Sequence, residues 1–299
     1  MAQPLRAQSG VCAEASLHGL LLLLNVTSEQ PDKVRRRLAE FPAYVERFEA
    51  RFSEALLSMV LAVGEPYWDV LSPDSRPDGL KALPEFSKSE HSLPVTPFDL
   101  AIIIRSDRYD ANYAAGLELL HWLGDLVELA EEYTPFRYLD GRDLFGFKYT
   151  NEHVTGPRRR ELALIGAEQD PEFAGGSFLW LQLSKLARQK FHQLTVAEQE
   201  KIMGRERANA QLMKTAKATH AEKTDSELWR LHMPFGSLQR PHELSLLFAA
   251  DPAMLDRWMR NRFEADEDGA TDPLLDFVQL EHCSAYFVPA LSWWSRLND

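Results

Sequence analysis

The sequence predicts an α+β chain of two ferredoxin-like modules with antiparallel sheets, combined in the manner of a dimeric α+β barrel. The first half reads strand, helix, strand, strand, helix, strand, which is the order of a split βαβ unit. The second half repeats the theme of strands and helices around a run of apolar segments. The 299 residues, 45% of them hydrophobic, suffice for one large core or two ordinary ones. Residues 1–140 form the N-terminal module and 141–299 the C-terminal one, packed as one unit around a shared cleft.

From Leu17 to Val26 the run LHGLLLLLNV is apolar without a period, as in a strand buried on both faces. Ser28 as N-cap and Pro31 in the first turn open a helix over 31–52, with Val34, Leu38, Phe41, Val45, Phe48 and Phe52 on one stripe. Pro42 kinks or splits it. Residues 55–63 are the next strand, and 72–97, with five of the 17 prolines, a long loop. Phe98–Arg105 is a strand, 109–129 a helix and 133–139 a strand. In the second half, strands are predicted at 178–183, 244–250 and 284–288. Helices are predicted from Thr195 to Ile202, with acidic residues in the first turn, and from Pro252 to Arg262, with Leu255, Trp258 and Met259 inward.

A net charge of -12 excludes nucleic acid as the main partner, because phosphate binding needs a basic surface. Two cysteines far apart, Cys12 and Cys283, form neither a disulfide framework nor a zinc site and fit a reducing compartment. Leu20–Leu24 is far shorter than the ~20 residues that span a bilayer, and the opening stretch lacks the pattern of an export signal. A cytoplasmic protein with no membrane partner is expected. His18, His91, His121, His153, His192, His242 and His282 show no metal-ligand spacing.

The chemistry is expected in the stretch THAEKTDSELWRLHMPFG, residues 219–236. A metal-ligating His220 on one side of a planar metal cofactor, with Arg230 and His232 returning on the other, makes a workable haem site. Taken alone, a His and an Arg ten residues apart in a polar stretch describe solvated surface just as well.

Several blocks, in order, resemble the DyP-type (dye-decolourising) haem peroxidases, in particular their short cytoplasmic bacterial branch. They are FRYLDGRDLFGF (136–147), GGSFLWLQLSKL (175–186), VAEQEKIMGR (196–205), Thr219-His220, WRLHMPFGS (229–237), DPLLDF (272–277) and AYFVPAL (285–291). The resemblance implies haem b held mainly by the C-terminal module, with His220 as axial ligand. It implies Asp272 as the acid bonded to the far nitrogen of that His, and Arg230 as the group that polarises peroxide on the opposite haem face. Arg205 matches a propionate partner, and Phe248 a haem-pocket Phe. It also implies a homo-oligomer, a dimer or larger, and a small-molecule substrate with hydrogen peroxide or oxygen.

The sequence departs from the family where a Gly-x-x-Asp-Gly motif should overlap the end of RDLFGF: Tyr149 stands in place of the Asp and Thr150 in place of the Gly. His232 replaces the usual Ser or Asn, and its imidazole could move the peroxide proton that the lost Asp would move. Three functional classes stay open on these residues. One is a haem oxidoreductase with Arg230, His232 and Tyr149 as its catalytic groups. The second is a non-oxidative haem lyase of the aldoxime-dehydratase kind, and the third a non-catalytic haem-binding protein.

Overall fold

The computed structural model describes residues 6–86, 91, 93–149, 154–213, 228–265 and 269–298. The first half contributes β1 (His18–Val26), α1 (Pro31–Ala39), α2 (Phe41–Arg51), β2 (Ser58–Gly64), β3 (Leu100–Ser106), α3 (Tyr109–Leu123) and β4 (Val127–Tyr133). The second half adds α4 (Gly156–Ala163), β5 (Ser177–Leu186), α5 (Val196–Met203), β6 (Trp229–Gly236), β7 (Pro241–Ala249), α6 (Pro252–Phe263) and β8 (Val278–Val288).

All eight strands form one sheet in the order β4-β1-β3-β2-β8-β5-β7-β6. Each half has the same arrangement, its last strand beside its first and its second at the far edge, as the split βαβ pattern requires. The expected closure into an α+β barrel is not found. The halves join edge to edge, Val63 opposite Phe287 and Gly64 opposite Tyr286, while β4 and β6 end the sheet unpaired with each other. These outer strands come close: the Phe136 N–H reaches the Pro234 carbonyl at 2.9 Å, and the Tyr133 and Phe235 rings lie 5.0 Å apart. Pro234, on the free edge of β6, has no N–H to donate, so a ladder cannot continue through it.

The unbroken leucine run of β1 follows from burial on both faces. Leu20, Leu22 and Leu24 pack under the helices with Leu38, Phe41 and Phe48, whereas Leu21 and Leu23 enter a second core. That second core draws Val60 and Ile103 from one half and Leu181, Leu246 and Tyr286 from the other, so the sheet curves until its two halves share it. No helix among the described residues is long and apolar enough to cross a membrane.

Two boundaries differ from expectation. The helix predicted to Leu129 stops at Leu123, because Gly124 turns the chain with φ of 59°. The following strand occupies 127–133 rather than 133–139. VELAEEY is an edge strand with little buried apolar surface, and its sequence carries a weak strand signal. The predicted helix over 31–52 is two helices that meet at Glu40, as Pro42 in the first turn of the second requires.

The seam between the halves depends on Gly64. A Cβ there would sit 2.1 Å from the Phe98 carbonyl oxygen, a backbone atom that cannot step aside. Gly64→Ala should lower stability by roughly 3 kcal/mol through overpacking. Gly166→Ala, where nothing lies within 4 Å of the new methyl group, should change it by less than about 0.5 kcal/mol. Urea denaturation of the two variants checks this, and equal losses would show that the seam is not the sensitive point.

Candidate functional site

Strand β6, which the sequence reading took as part of a polar stretch, forms a hairpin with β7 in which His232 lies opposite Ser245 and Arg230 opposite Leu247. Alternation then sorts the side chains. Trp229, Leu231, Phe235, Leu244, Leu246 and Phe248 pack on one face in the apolar core. Arg230, His232, Glu243 and Ser245 line a small cavity of about 70 Å³, room for about two water-sized molecules. Tyr149, Asp143 and Arg205 border it from the preceding segments, and Trp258 and Arg262 from α6. A larger cleft of about 260 Å³ runs along the free edge of β6 and shares Tyr149, Arg230 and His232 with this cavity.

The predicted catalytic residues therefore come together. The Tyr149 ring stacks on His232 at 5.0 Å with only 10° between the planes, and its hydroxyl donates to Glu243 Oε2 at 2.7 Å. His232 Nδ1 lies 2.8 Å from Ser245 Oγ and 3.4 Å from Glu243 Oε1. Burial lowers the His232 pKa, a tendency that Glu243 opposes and the charges of Arg230 and Arg262 reinforce. Burial would raise the Glu243 pKa, but the hydrogen bonds and charge of His232 and the hydroxyl of Tyr149 outweigh it and hold the carboxyl below its ordinary value.

Arg230 is buried, its guanidinium 5.8 Å from the Trp258 ring. Burial, with Arg205 and Arg262 nearby, pulls its pKa down to about 9, so it stays cationic at neutral pH. Arg205 donates to the Met203 and Lys148 carbonyls, and burial takes it to about 10. Asp272 is buried, accepts the Leu274 N–H at 2.9 Å and lies 3.8 Å from Arg262 Nε. His220 and Thr150 fall outside the described residues. Phe248 is not brought to the site: two-residue alternation turns it to the opposite face of β7 from Glu243 and Ser245, against the apolar core.

Sequence reasoning missed Glu243, Ser245, Asp143, Trp258 and Arg262. The first two carry a signal, polar residues at alternate positions of HELSLLF, but it means something only once β6 is recognised as the partner strand. Asp143 lay within a block that was read for its register alone. Its carboxyl accepts the Phe147 N–H at 2.9 Å, and burial, then the charge of Glu243, pushes its pKa up to about 7.

The charges that line the cavity suit an anionic group. Three buried guanidiniums, Arg205, Arg230 and Arg262, face Glu243, Asp272 and an Asp143 that keeps its proton through much of the acid range. Arg262 Nε and Trp258 Nε1 have no hydrogen-bond partner among the described residues. Donors of this kind suit the carboxylates and π-face of a porphyrin. No group of three or more His, Cys, Asp or Glu among the described residues could hold a bare metal ion.

Models of the Dyp-type peroxidase family match both halves, the N-terminal one over residues 8–137 and the C-terminal one over 140–293. The dye-decolorizing peroxidase of Mycobacterium tuberculosis is 26% identical over 306 residues, 98% of this chain and 91% of the relative. A candidate Dyp-type peroxidase of Shewanella oneidensis shares 31% identity and superposes with a TM-score of 0.92, over 98% of this chain and 99% of that one. A variant of DypB from Rhodococcus jostii RHA1, solved in complex with heme, shares 27% identity at a TM-score of 0.87, over 97% and 98% of the two chains. Matched in both halves and in order, the chain belongs to the Dyp-type peroxidase family of oxidoreductases.

Proposed function

We propose that the chain is a haem b-dependent peroxidase with an altered distal pocket, acting with hydrogen peroxide on a small substrate that enters by the cleft beside β6. The observation that carries this reading is the placement of Arg230 and His232 side by side on the cavity face of β6, with Tyr149 stacked on the imidazole. The heme in the DypB variant supports the cofactor. His220 would be the axial ligand, Asp272 the acid that orients it, and Arg205 a partner for a propionate. When bound, the haem supplies the two electrons that cleave the O–O bond.

The protein's own part is to bind peroxide and move its protons. Arg230, cationic and shielded from water, draws the oxygen of peroxide that bears the growing negative charge. His232 replaces the aspartate that the family motif carries at the position of Tyr149 and serves as the acid–base group. Tyr149 covers one face of that ring and fixes its orientation. Phe147 packs against Phe191, away from the cavity, so it does not close the pocket. The module boundary at 140/141 is supported by the two family matches, which end at 137 and resume at 140. The free Cys12 and Cys283 support a reducing, cytoplasmic setting.

Reconstitution with haem tests the reading. The wild type should gain a Soret band that His220→Ala loses, and peroxide should change that spectrum about 10²- to 10⁴-fold more slowly in His232→Ala. A wild type that takes up no haem, or a His220→Ala variant with an unaltered Soret band, would sink it. A separate prediction concerns Asp143, whose folded pKa of about 7 lies above its unfolded value. The unfolded chain loses this proton near pH 4 and the folded one keeps it to about 7, so the residue makes stability fall as pH rises across that window. Relative to Asp143→Asn, wild-type stability should decline by on the order of 2–4 kcal/mol between pH 4.5 and 7.5. A difference that stays flat with pH in urea denaturation would place the Asp143 titration where it lies in an unfolded chain.

A further inference from the structure

Glu243 occupies a position on β7 whose neighbours in sequence, His242 aside, are built for packing: Leu244 and Leu246 fill the apolar core behind it. A carboxylate largely withdrawn from water is costly unless it is paired, so its presence calls for a partner that needs the charge. Three groups converge on it. The Tyr149 hydroxyl donates to Oε2 at 2.7 Å, His232 Nδ1 faces Oε1 at 3.4 Å, and Ser245 Oγ lies 2.8 Å from the same Nδ1 and 3.5 Å from Oε1. The tyrosine that replaces the family's aspartate thus points its only polar atom at another carboxylate.

We propose that Glu243 is the positioning carboxylate of this site: together with Ser245, which bridges the two groups, it holds the proton of His232 on Nδ1 and pins Tyr149 over the ring, leaving Nε2 as the base that takes and returns the peroxide proton. The proposal rests on the peroxidase reading above for its reaction, but not for its geometry. As the peroxide O–H bond breaks, a bond forms between that proton and Nε2, and the resulting imidazolium is paired with Glu243. The same proton then leaves Nε2 for the outer oxygen, which already holds its own hydrogen and departs as water, and the imidazole returns to its neutral form. Glu243 neither gains nor loses a proton; the O–O bond breaks as the water leaves with its bonding pair, and the two electrons that the remaining oxygen lacks would come from the bound haem, not from these side chains.

The other charged groups around the pair are Asp143 and Lys148 from the segment before Tyr149, Arg205 after α5, Arg230 on β6 and Arg262 on α6. Arg230 and Arg262 oppose a charge on His232, and Glu243 is the group that favours it. Removing that carboxylate therefore lowers the proton affinity of the ring, whereas removing only its bulk would not. Glu243→Gln separates the two effects, since the amide oxygen is isosteric and still accepts from Tyr149.

The first measurement is an NMR titration of His232 in protein with ¹³C-labelled histidine and no added haem, its resonance identified by its loss in His232→Ala. In Glu243→Gln the proton affinity of His232 should fall at least tenfold. With haem loaded, the variant should keep its Soret band, show about 10²-fold lower kcat/KM for peroxide, and shift the acid limb of its pH profile to lower pH. Glu243→Asp keeps the charge but withdraws it, and should recover at least half of the His232 titration change. A His232 titration unmoved in Glu243→Gln with peroxide turnover within twofold of wild type, or an Asp variant indistinguishable from the Gln variant, would overturn the proposal. A wild type without a Soret band would count against the haem reading alone, because the haem-free titration still reports whether Glu243 governs His232.

Discussion

The pairing register of β6 on β7 is the constraint on which the site depends. With His232 opposite Ser245, the polar side chains of both strands fall on one face and the large apolar ones on the other. A slip of one residue would drive Arg230 and His232 among Leu244, Leu246 and Phe248 and turn Trp229 and Leu231 into the cavity. Several local features forbid it. Trp229 donates its indole N–H to the Val11 carbonyl at 2.9 Å, which ties β6 to the N-terminal segment. At the other end, Gly236 takes φ of 95°, and a Cβ there would meet the Arg240 carbonyl oxygen at 2.3 Å, so the hairpin turn accepts only glycine in this register.

The register also gathers positive charge that the fold must then contain. Arg230 reaches the cavity from β6, Arg205 from the end of α5 and Arg262 from α6, and burial lowers the pKa of all three. Repulsion among them is eased from two directions. Trp258 offers its ring to two guanidiniums, 4.8 Å from Arg262 and 5.8 Å from Arg230, a contact worth more away from water. Glu243 in the cavity lining and Asp272, 3.8 Å from Arg262 Nε, supply the negative charge. Asp143 does not add to it fully at neutral pH, since burial, and then the charge of Glu243, keeps part of its proton in place. A site so arranged favours anionic ligands because their charge completes a balance that the protein leaves incomplete.

How far the sequence announced all this follows the physics of each segment. The strands buried on both faces, β1, β3 and β5, stand out as apolar runs, and the 4-1-3-2 order of the first half follows from their succession. Edge strands are harder. β4 is mostly exposed, and β6 alternates Arg and His with Trp and Leu, so neither has the composition of a strand: the first is expected at 133–139, past its place, and the second is not expected as a strand at all. Closure of the sheet turns on one proline and on edge geometry, which no hydrophobic pattern encodes. Arg230, His232, Tyr149 and Arg205, which the family motifs pick out in the sequence, do lie around one cavity. Phe248 faces the apolar core because the facing of a strand residue follows its partner strand, which the sequence alone does not give. Glu243 was invisible for the same reason: a lone acid in HELS gains meaning only from a tyrosine 94 residues away.

Tyr149 stands on one wall of the pocket without a charge of its own, and Glu243 stands on another wall at hydrogen-bond distance from its hydroxyl. The two placements differ in rigidity. The segment that carries Tyr149 is held by turns and single backbone bonds, among them Tyr149 N–H to Gly141 O at 3.3 Å. Glu243 belongs to a strand paired on both sides, with Ser184 of β5 and with Pro234 of β6. A carboxylate set in a central strand keeps its position to within the play of two ladders, and it transmits that precision to any ring it holds. It also acts at one remove, since the imidazole lies between it and the reacting oxygen in the proposed arrangement. The charge thereby stays on the carboxylate while the proton is carried by an imidazole nitrogen, whose intrinsic pKa lies close to neutrality. In that arrangement Tyr149, His232 and Glu243 act as one unit, and changing any one of them alone would leave the other two mismatched to the site.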